Sequence, residues 1–597
     1  MRYLFLLSLL CCFVWECQAA DLSASTAWLA LGHYQNNKSS IDSPNFFLAK
    51  DGKYNPDKEL KATIELFESD NDEKKCMFPA RYIFLVKNGL VKKNFPKCGE
   101  FEQFKDDLRP AGVTLLFTDA YMNNPSSMFG HTLFRIDTKR KGTQLLAHGA
   151  NYGAFTGDNP GPLYALYGLT GMYFGGFTVK PYYDIINTYN NIENRDIWEL
   201  SLNFSEDELE LFVAHLWEIG QTQSKYYFFS RNCSYMLMEM LDAVRPSLKL
   251  AQKFPVQVIP LDTFKAVYSS KGLVKNVNYR PSRQNKIRYR FENMNKTQKQ
   301  VFLGVIKNKN YDLTDITTDD EKADIWETAY QFVQYQYVAK DLELKDYRKQ
   351  SFDILRARSK FKNKGRIEEI TDKVSPLAAH EAMRAVLSSG VRNGEFFEEI
   401  AYRPAYHSLT DNDDGLVKGA EINFLEAKVR HYDNRDKVVL QNLDLIKIRS
   451  VSPIDEMFAP TSFQVAADVE RWQNPKDEKE GYVGNLNVGL GGSVNFFKNI
   501  RAFALFDTKV SYGGFLPHNS MISVGADFGV LVDFDKWKIL AEVEPWGASQ
   551  KVGNVMKYKT EANYIAGRNL AFGGNFVYED RNGSDTEEFL IGIKLYF

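Results

Sequence analysis

The sequence runs to 597 residues, 44% hydrophobic and 25% charged, with a formal net charge of −2. That length exceeds one ordinary domain, and so balanced a charge argues against a nucleic-acid partner. Aromatic residues make up 14% of the chain, which suits sheet-rich structure and membrane-interface girdles.

The chain opens MRYLFLLSLLCCFVWECQAADLS. Arg2, an apolar run over 3–15 and the small-residue site Cys17-Gln18-Ala19 read as a secretory leader spanning 1–20. Glu16 stands where a lipidation motif would carry a small residue, which weighs against a lipid on Cys17. The run is too short to span a bilayer as a helix, and no later stretch reaches the length needed. Removing the leader leaves three cysteines, Cys76, Cys98 and Cys233. In an oxidising compartment the simplest pairing is Cys76 with Cys98, and Cys233 is left over as either an inert or a reactive thiol.

Residues 21–110 form a mixed N-terminal domain. Positions 60–70 fit a helix or a strand, and CMFPARYIFL (76–85) is expected to end in a strand. Residues 111–290 alternate strand and helix patterns, with strands expected at 112–120, 131–137, 143–148 and 196–202. Ser205 and Glu208 make a capping box that opens a helix over 205–220. A second helix starts at Cys233, with Leu237, Leu241 and Val244 at helical spacing. Residues 291–394 read as a charged helical connector.

From 395 to 597 the period becomes two. Phe589, Ile591, Ile593, Leu595 and Phe597 share one face, and Gly592, Lys594 and Tyr596 the other. Similar segments recur near 419–432, 437–449, 461–472, 482–496, 500–512, 520–534, 537–547, 556–566 and 570–579. The expected architecture is an antiparallel β-barrel of about ten to twelve strands in an outer membrane. A soluble sandwich or ligand barrel is the alternative.

The chemistry concentrates in 125–237. In GHTLFRIDTKRKGTQLLAHGAN (130–151) a hairpin turn centred between Lys139 and Arg140 would set His131 opposite His148. A one-residue slip would separate them onto opposite faces. Cys233 follows Asn232 at a helix start, where free N–H groups and a partial positive charge favour a thiolate and can hold an oxyanion. Thiol, base and orienting imidazole would then make a catalytic set. A structural cysteine and histidines are the plainer alternative. Zinc would find only three ligands here, so no metal or other cofactor is expected.

PSSMFGHTLFRI (125–136) and FSRNCSYML (229–237) resemble the two signature blocks of the Lnb periplasmic-domain family, bacterial proteins tied to lipoprotein N-acylation. CMFPARYIFL and RPAYHSLTDNDDG (403–415) resemble the flanking regions of multi-domain relatives. The order His, His, Asn-Cys is also similar to the circularly permuted papain-like fold. The resemblance implies an α+β chain: a permuted papain-like cysteine-enzyme domain, a helical connector and the barrel. It implies Cys233 as nucleophile, His131 as base and His148 as orienting residue. Asn232 and Ser127 are the expected oxyanion and supporting residues. Relatives in this acyltransferase group carry membrane helices where this chain has barrel-like strands.

Three functions follow. The first is a cysteine acyltransferase that takes an acyl chain from phospholipid and passes it to a lipoprotein amine or peptide acceptor. The second is an envelope cysteine hydrolase, and the third a non-catalytic binding protein on a barrel. In each the protein belongs to the Gram-negative envelope, in the outer membrane with a periplasmic domain. GANYGAFTGDNPGPLYALYGLTGMYFGGF (149–177) fits an apolar flap that admits an acyl chain and fits a buried strand pair equally well. DNDDG (411–415) lacks the distal Glu of a calcium loop and is expected to be a solvated turn. His33, His215, His431 and His518 have no company in the sequence.

Overall fold

The computed structural model describes residues 22–597, except 121, 123–127, 141–143, 158–160, 308–312, 364, 368–369, 371–372, 436, 474–479, 515, 551–553 and 583. The expected leader over 1–20, with Cys17, and Ser127 lie outside the described residues. The chain divides into two compact units: 1–121 with 130–373, and 122–129 with 374–597.

The first unit opens with helices α1 (Thr26–Leu31), α2 (Pro56–Glu68), α3 (Pro79–Lys87) and α4 (Gly99–Leu108). Asn55 caps α2 through its side chain, and Pro56 occupies the first turn, where no N–H is needed. The strand expected near 80–85 is therefore a helix. Pro79 starts it, and Ala80, Phe84 and Leu85 are buried at helical spacing. The disulfide Cys76–Cys98 ties this region together, with Cα atoms 5.5 Å apart.

Seven antiparallel strands follow: β1 (Pro110–Thr118), β2 (His131–Thr138), β3 (His148–Ala154), β4 (Tyr173–Pro181), β5 (Ile197–Leu202), β6 (Ser224–Tyr226) and β7 (Val274–Arg280). Their order across the sheet is β6-β4-β3-β2-β1-β5-β7. Helix α5 (Gly161–Thr170) connects β3 to β4. Helix α6 (Glu206–Gly220) begins at the Ser205/Glu208 capping box, as its sequence requires. Helices α7 (Cys233–Val244) and α8 (Pro260–Ser269) complete the layer. Phe134 meets Phe212 of α6 edge-on at 5.2 Å, and Phe117 meets Phe264 of α8 at 5.3 Å. Leu116, Leu133 and Ile197 face the other way, onto Tyr182, Ile185 and Ile186. Both sheet faces are thus covered.

One departure matters for the site. The expected strand at 143–148 is a short 3₁₀ turn over Gln144–Leu146, and β3 starts only at His148. The connection is longer than a tight hairpin, so the register shifts. His148 faces Ile136 and Ala150 faces Phe134.

The connector is helical as expected, with its longest helix at Asp319–Val338. It ends sooner than expected. Arg384–Arg392 and Glu395–Arg403 are already barrel strands, so the barrel begins before 395. Ten more strands run from Ala420–Tyr432 to Ser584–Tyr596. The first strand pairs with the last, Arg384 opposite Tyr596, and Glu395–Arg403 pairs with Ala420–Tyr432, Phe397 opposite Tyr432. Twelve strands close the ring.

The barrel wall alternates as period two demands. Phe589, Ile591, Ile593 and Leu595 are exposed on the outside, whereas Lys594 turns inward to Glu561 at 2.6 Å. The lumen is lined by twelve acidic and twelve basic side chains around a cavity of about 460 Å³. Arg449 bonds Glu542 and reaches Asp527 at 3.2 Å. Four strands separate Arg449 from Glu542 in the wall, so this contact crosses the lumen.

The loop 404–419 enters one end. Asp411 accepts from Arg384 at 3.0 Å, Arg403 at 2.8 Å and Tyr596 at 2.7 Å, all buried. Asp411 is therefore a buried ionic anchor, contrary to the solvated turn expected, while 412–415 stay partly or fully exposed. His380 and His407 join it, with ring nitrogens 3.0 Å apart.

Candidate active site

Cys233 is the first residue of α7 and is 4% exposed. Asn232 caps that helix by accepting the Tyr235 N–H at 3.2 Å. Its amide N–H₂ donates to the carbonyls of Phe228 at 3.0 Å and Val258 at 2.7 Å. Both ends of the Asn232 amide are engaged, so it braces the loop and is not the expected oxyanion donor. Ser127 cannot be placed, lying outside the described residues.

His131 opens β2, directly after Gly130. Gly130 has φ +86°, and a Cβ there would lie 2.6 Å from the Phe117 ring and 2.9 Å from the Thr118 carbonyl. Only glycine fits this close approach, and it delivers the imidazole to the thiol. Burial opposes charge on the Cys233 sulfur. The His131 charge and hydrogen bond outweigh it, with help from the Thr132 N–H and the Ser234 hydroxyl, and lower the thiol to about 6. Burial likewise opposes charge on His131. The neighbouring Cys233 and hydrogen bonds from His131 to Cys233 and Asn151 outweigh that and raise its pKa. Each group stabilises the charged form of the other, as in a thiolate–imidazolium pair.

The third member is Asn151. His131 Nε2 lies 2.6 Å from Asn151 Oδ1, a contact that fixes the tautomer and leaves the other ring nitrogen for the thiol. The shifted register brings Asn151, and not His148, to this end of the sheet. His148, opposite Ile136, stands five residues along, about 16 Å at the rise of a strand. Burial, then Arg140, lowers its pKa. The expected facing of His131 and His148 is therefore corrected.

Sequence reasoning missed two further neighbours. The Cys233 N–H donates to the Tyr226 hydroxyl oxygen at 3.2 Å, and that hydroxyl also bonds the sulfur. Burial and the adjacent thiolate raise Tyr226 well above the usual phenol value, so it keeps its proton. Tyr189 stacks on His131 with centroids 5.7 Å apart, and Arg195 lies 5.1 Å over the far ring. YYFFS (226–230) precedes the cysteine closely enough to have flagged Tyr226. Tyr189 lay too far off in sequence to carry any such mark.

Residues 100–270 match the family model of the Lnb N-terminal periplasmic domain. The site just described lies wholly inside this Lnb-type domain. Residues 20–88, 277–370 and 373–596 match three domains of unknown function, DUF7843, DUF7842 and DUF7840. No curated protein matches the chain. Among solved structures, the KdgM porin in complex with disordered oligogalacturonate is 9% identical, covering 36% of this chain and 99% of that one at a TM-score of 0.23. The NanC porin is 10% identical over 36% of this chain and 100% of that one, at 0.25. The outer membrane protein Omp33 of Acinetobacter baumannii is 10% identical over 37% and 100%, at 0.21.

The closed wall, apolar outside and charged inside, is that of an outer-membrane barrel. The protein is therefore an outer-membrane protein with a periplasmic domain. Among the described residues no helix is long and apolar enough to cross a membrane.

Proposed function

We propose that the Lnb-type domain is a thiol acyltransferase that takes an acyl chain from phospholipid and gives it to an amine, such as that of a lipoprotein or peptide. The observation that carries this reading is the Cys233–His131–Asn151 set, with the thiol lowered to about 6 at a capped helix start. The thiolate attacks the ester carbonyl of the lipid. The Tyr226 hydroxyl and the helix N-terminus stabilise the oxyanion. The intermediate collapses to a Cys233 thioester, and the lysolipid alcohol leaves with the proton from His131. The acceptor amine then attacks the thioester, His131 takes its proton, and Cys233 departs as thiolate. Asn151 holds the ring through both halves.

The test is intact-protein mass spectrometry after incubation with phospholipid. The expected result is a mass increase of one acyl group on Cys233, discharged by an added amine. Acyl loss to water alone, whatever the amine, would make the protein a hydrolase. An unmodified Cys233 together with full activity of the Cys233→Ser protein in cells would end the enzymatic reading.

A further inference from the structure

The segment 159–179 carries no Asp, Glu, Lys, Arg or His. At the chain's 25% charged content, about five charges would be expected in such a length. The absence is not explained by burial. Leu163, Leu166, Leu169, Met172 and Phe174 are all exposed, Leu166 at 50% and Met172 at 61%. Leu163, Leu166 and Leu169 recur every third residue along α5 and so lie close together on its surface.

The inner side of α5 has a defined partner. Tyr164 packs on Phe228 with ring centroids 5.2 Å apart, and the Phe228 N–H donates to the Gly168 carbonyl at 2.9 Å. A Cβ at Gly168 would lie 2.2 Å from the Phe228 ring. Tyr173, at the end of the same segment, pairs with Tyr226. The outward apolar surface is thus fastened to 226–228, the stretch that leads into Cys233.

We infer that the outward surface of α5 and the start of β4 docks on the acyl-chain region of a phospholipid bilayer, beside the site that holds Cys233. The charges that border this surface in the sheet are the exposed Lys180 and Lys225, the latter opposite Phe174, and their single sign suits anionic lipid headgroups. An interfacial helix with Leu, Met and aromatic residues buries that surface in lipid. The same chain presents the same kind of surface on its barrel wall, where exposed Leu, Ile and Phe meet lipid. That barrel also tethers the domain to a bilayer. Docking itself is independent of the chemistry at Cys233. The assignment of the docked lipid as acyl donor rests on the acyl-transfer reading above.

The test uses the full chain carrying Cys233→Ser, reconstituted in phosphatidylethanolamine/phosphatidylglycerol nanodiscs, with photoreactive benzoylphenylalanine replacing Leu166. A second protein carries the same group at Val256, an exposed position (80%) outside the segment. On irradiation, phospholipid adducts are expected at 166 in at least about tenfold excess over 256. Adding Leu163→Glu and Leu169→Glu should remove most of that excess. Adducts at 166 to protein, or equal lipid adducts at the two positions, would overturn the inference. Because the thiol is absent, a failure of acyl transfer leaves this readout unaffected.

Discussion

The imidazole of His131 decides the charge of Cys233. A buried thiol with no charged neighbour would hold its proton above the ordinary value; here the imidazole of His131 reverses the sign. Iodoacetamide alkylation followed against pH should show a midpoint near 6. In His131→Ala the midpoint should move above 9, because burial stays while the compensating charge goes. Turnover should rise through about pH 6 as the thiolate forms and fall once pH passes the raised His131 value, when the imidazole loses its proton. Asn151→Ala should lower kcat by roughly 10- to 100-fold with KM little changed, since the ring keeps its basicity but loses its orientation. His148→Ala should leave kcat within about twofold. Tyr226→Phe should cost about 10- to 1,000-fold in kcat if its hydroxyl meets the oxyanion. Cys233 and His131 stood out in the sequence because residue type and a helix cap suffice to mark them. Asn151 was not, because its role depends on strand register, and a two-residue turn was assumed where the chain makes a 3₁₀ turn.

At the scale of elements, Gly130 is the tightest constraint. Gly130→Ala should lower stability by about 1–3 kcal/mol, from the left-handed backbone and the collision with Phe117. The denaturation midpoint would report the stability loss, and alkylation of Cys233 near pH 7 would slow as the imidazole is displaced. Helices with local marks, such as Ser205/Glu208 or Asn232, were placed by sequence to within a residue or two. The segment around Pro79 was not, because Tyr, Ile, Phe, Leu and Val in a row suit a buried strand and a buried helix alike. Its helical identity comes from tertiary packing. The first two barrel strands were missed for a different reason. Their outward faces are interrupted by Ser389 and Glu398, which break the apolar pattern on which the strand reading relied.

Across the whole molecule, period two carried further than any other pattern. Ten of the twelve barrel strands followed from it, because an outward lipid face tolerates little but apolar residues. What it could not convey was the state of the lumen. Charged positions are compatible with a water-filled channel or with a sealed one, and the distinction lies in which charges meet. Arg449 with Glu542 and Asp527, and Asp411 with Arg384 and Arg403, join opposite signs across and at one end of the barrel. In planar bilayers the reconstituted protein should show no stepwise conductance. Arg449→Ala should destabilise the barrel by roughly 3–5 kcal/mol, since carboxylates are left without their cation; heat-modifiable migration in gels would register the loss.

The Cys76–Cys98 bond bears on how such a protein is made. A chain emerging N-terminus first delivers both of these sulfurs to the oxidant more than a hundred residues before Cys233 appears, with over half of the distance to it covered only afterwards. The correct crosslink can be sealed while the free thiol is still in transit, so vectorial delivery itself guards Cys233 from being trapped in a wrong bridge.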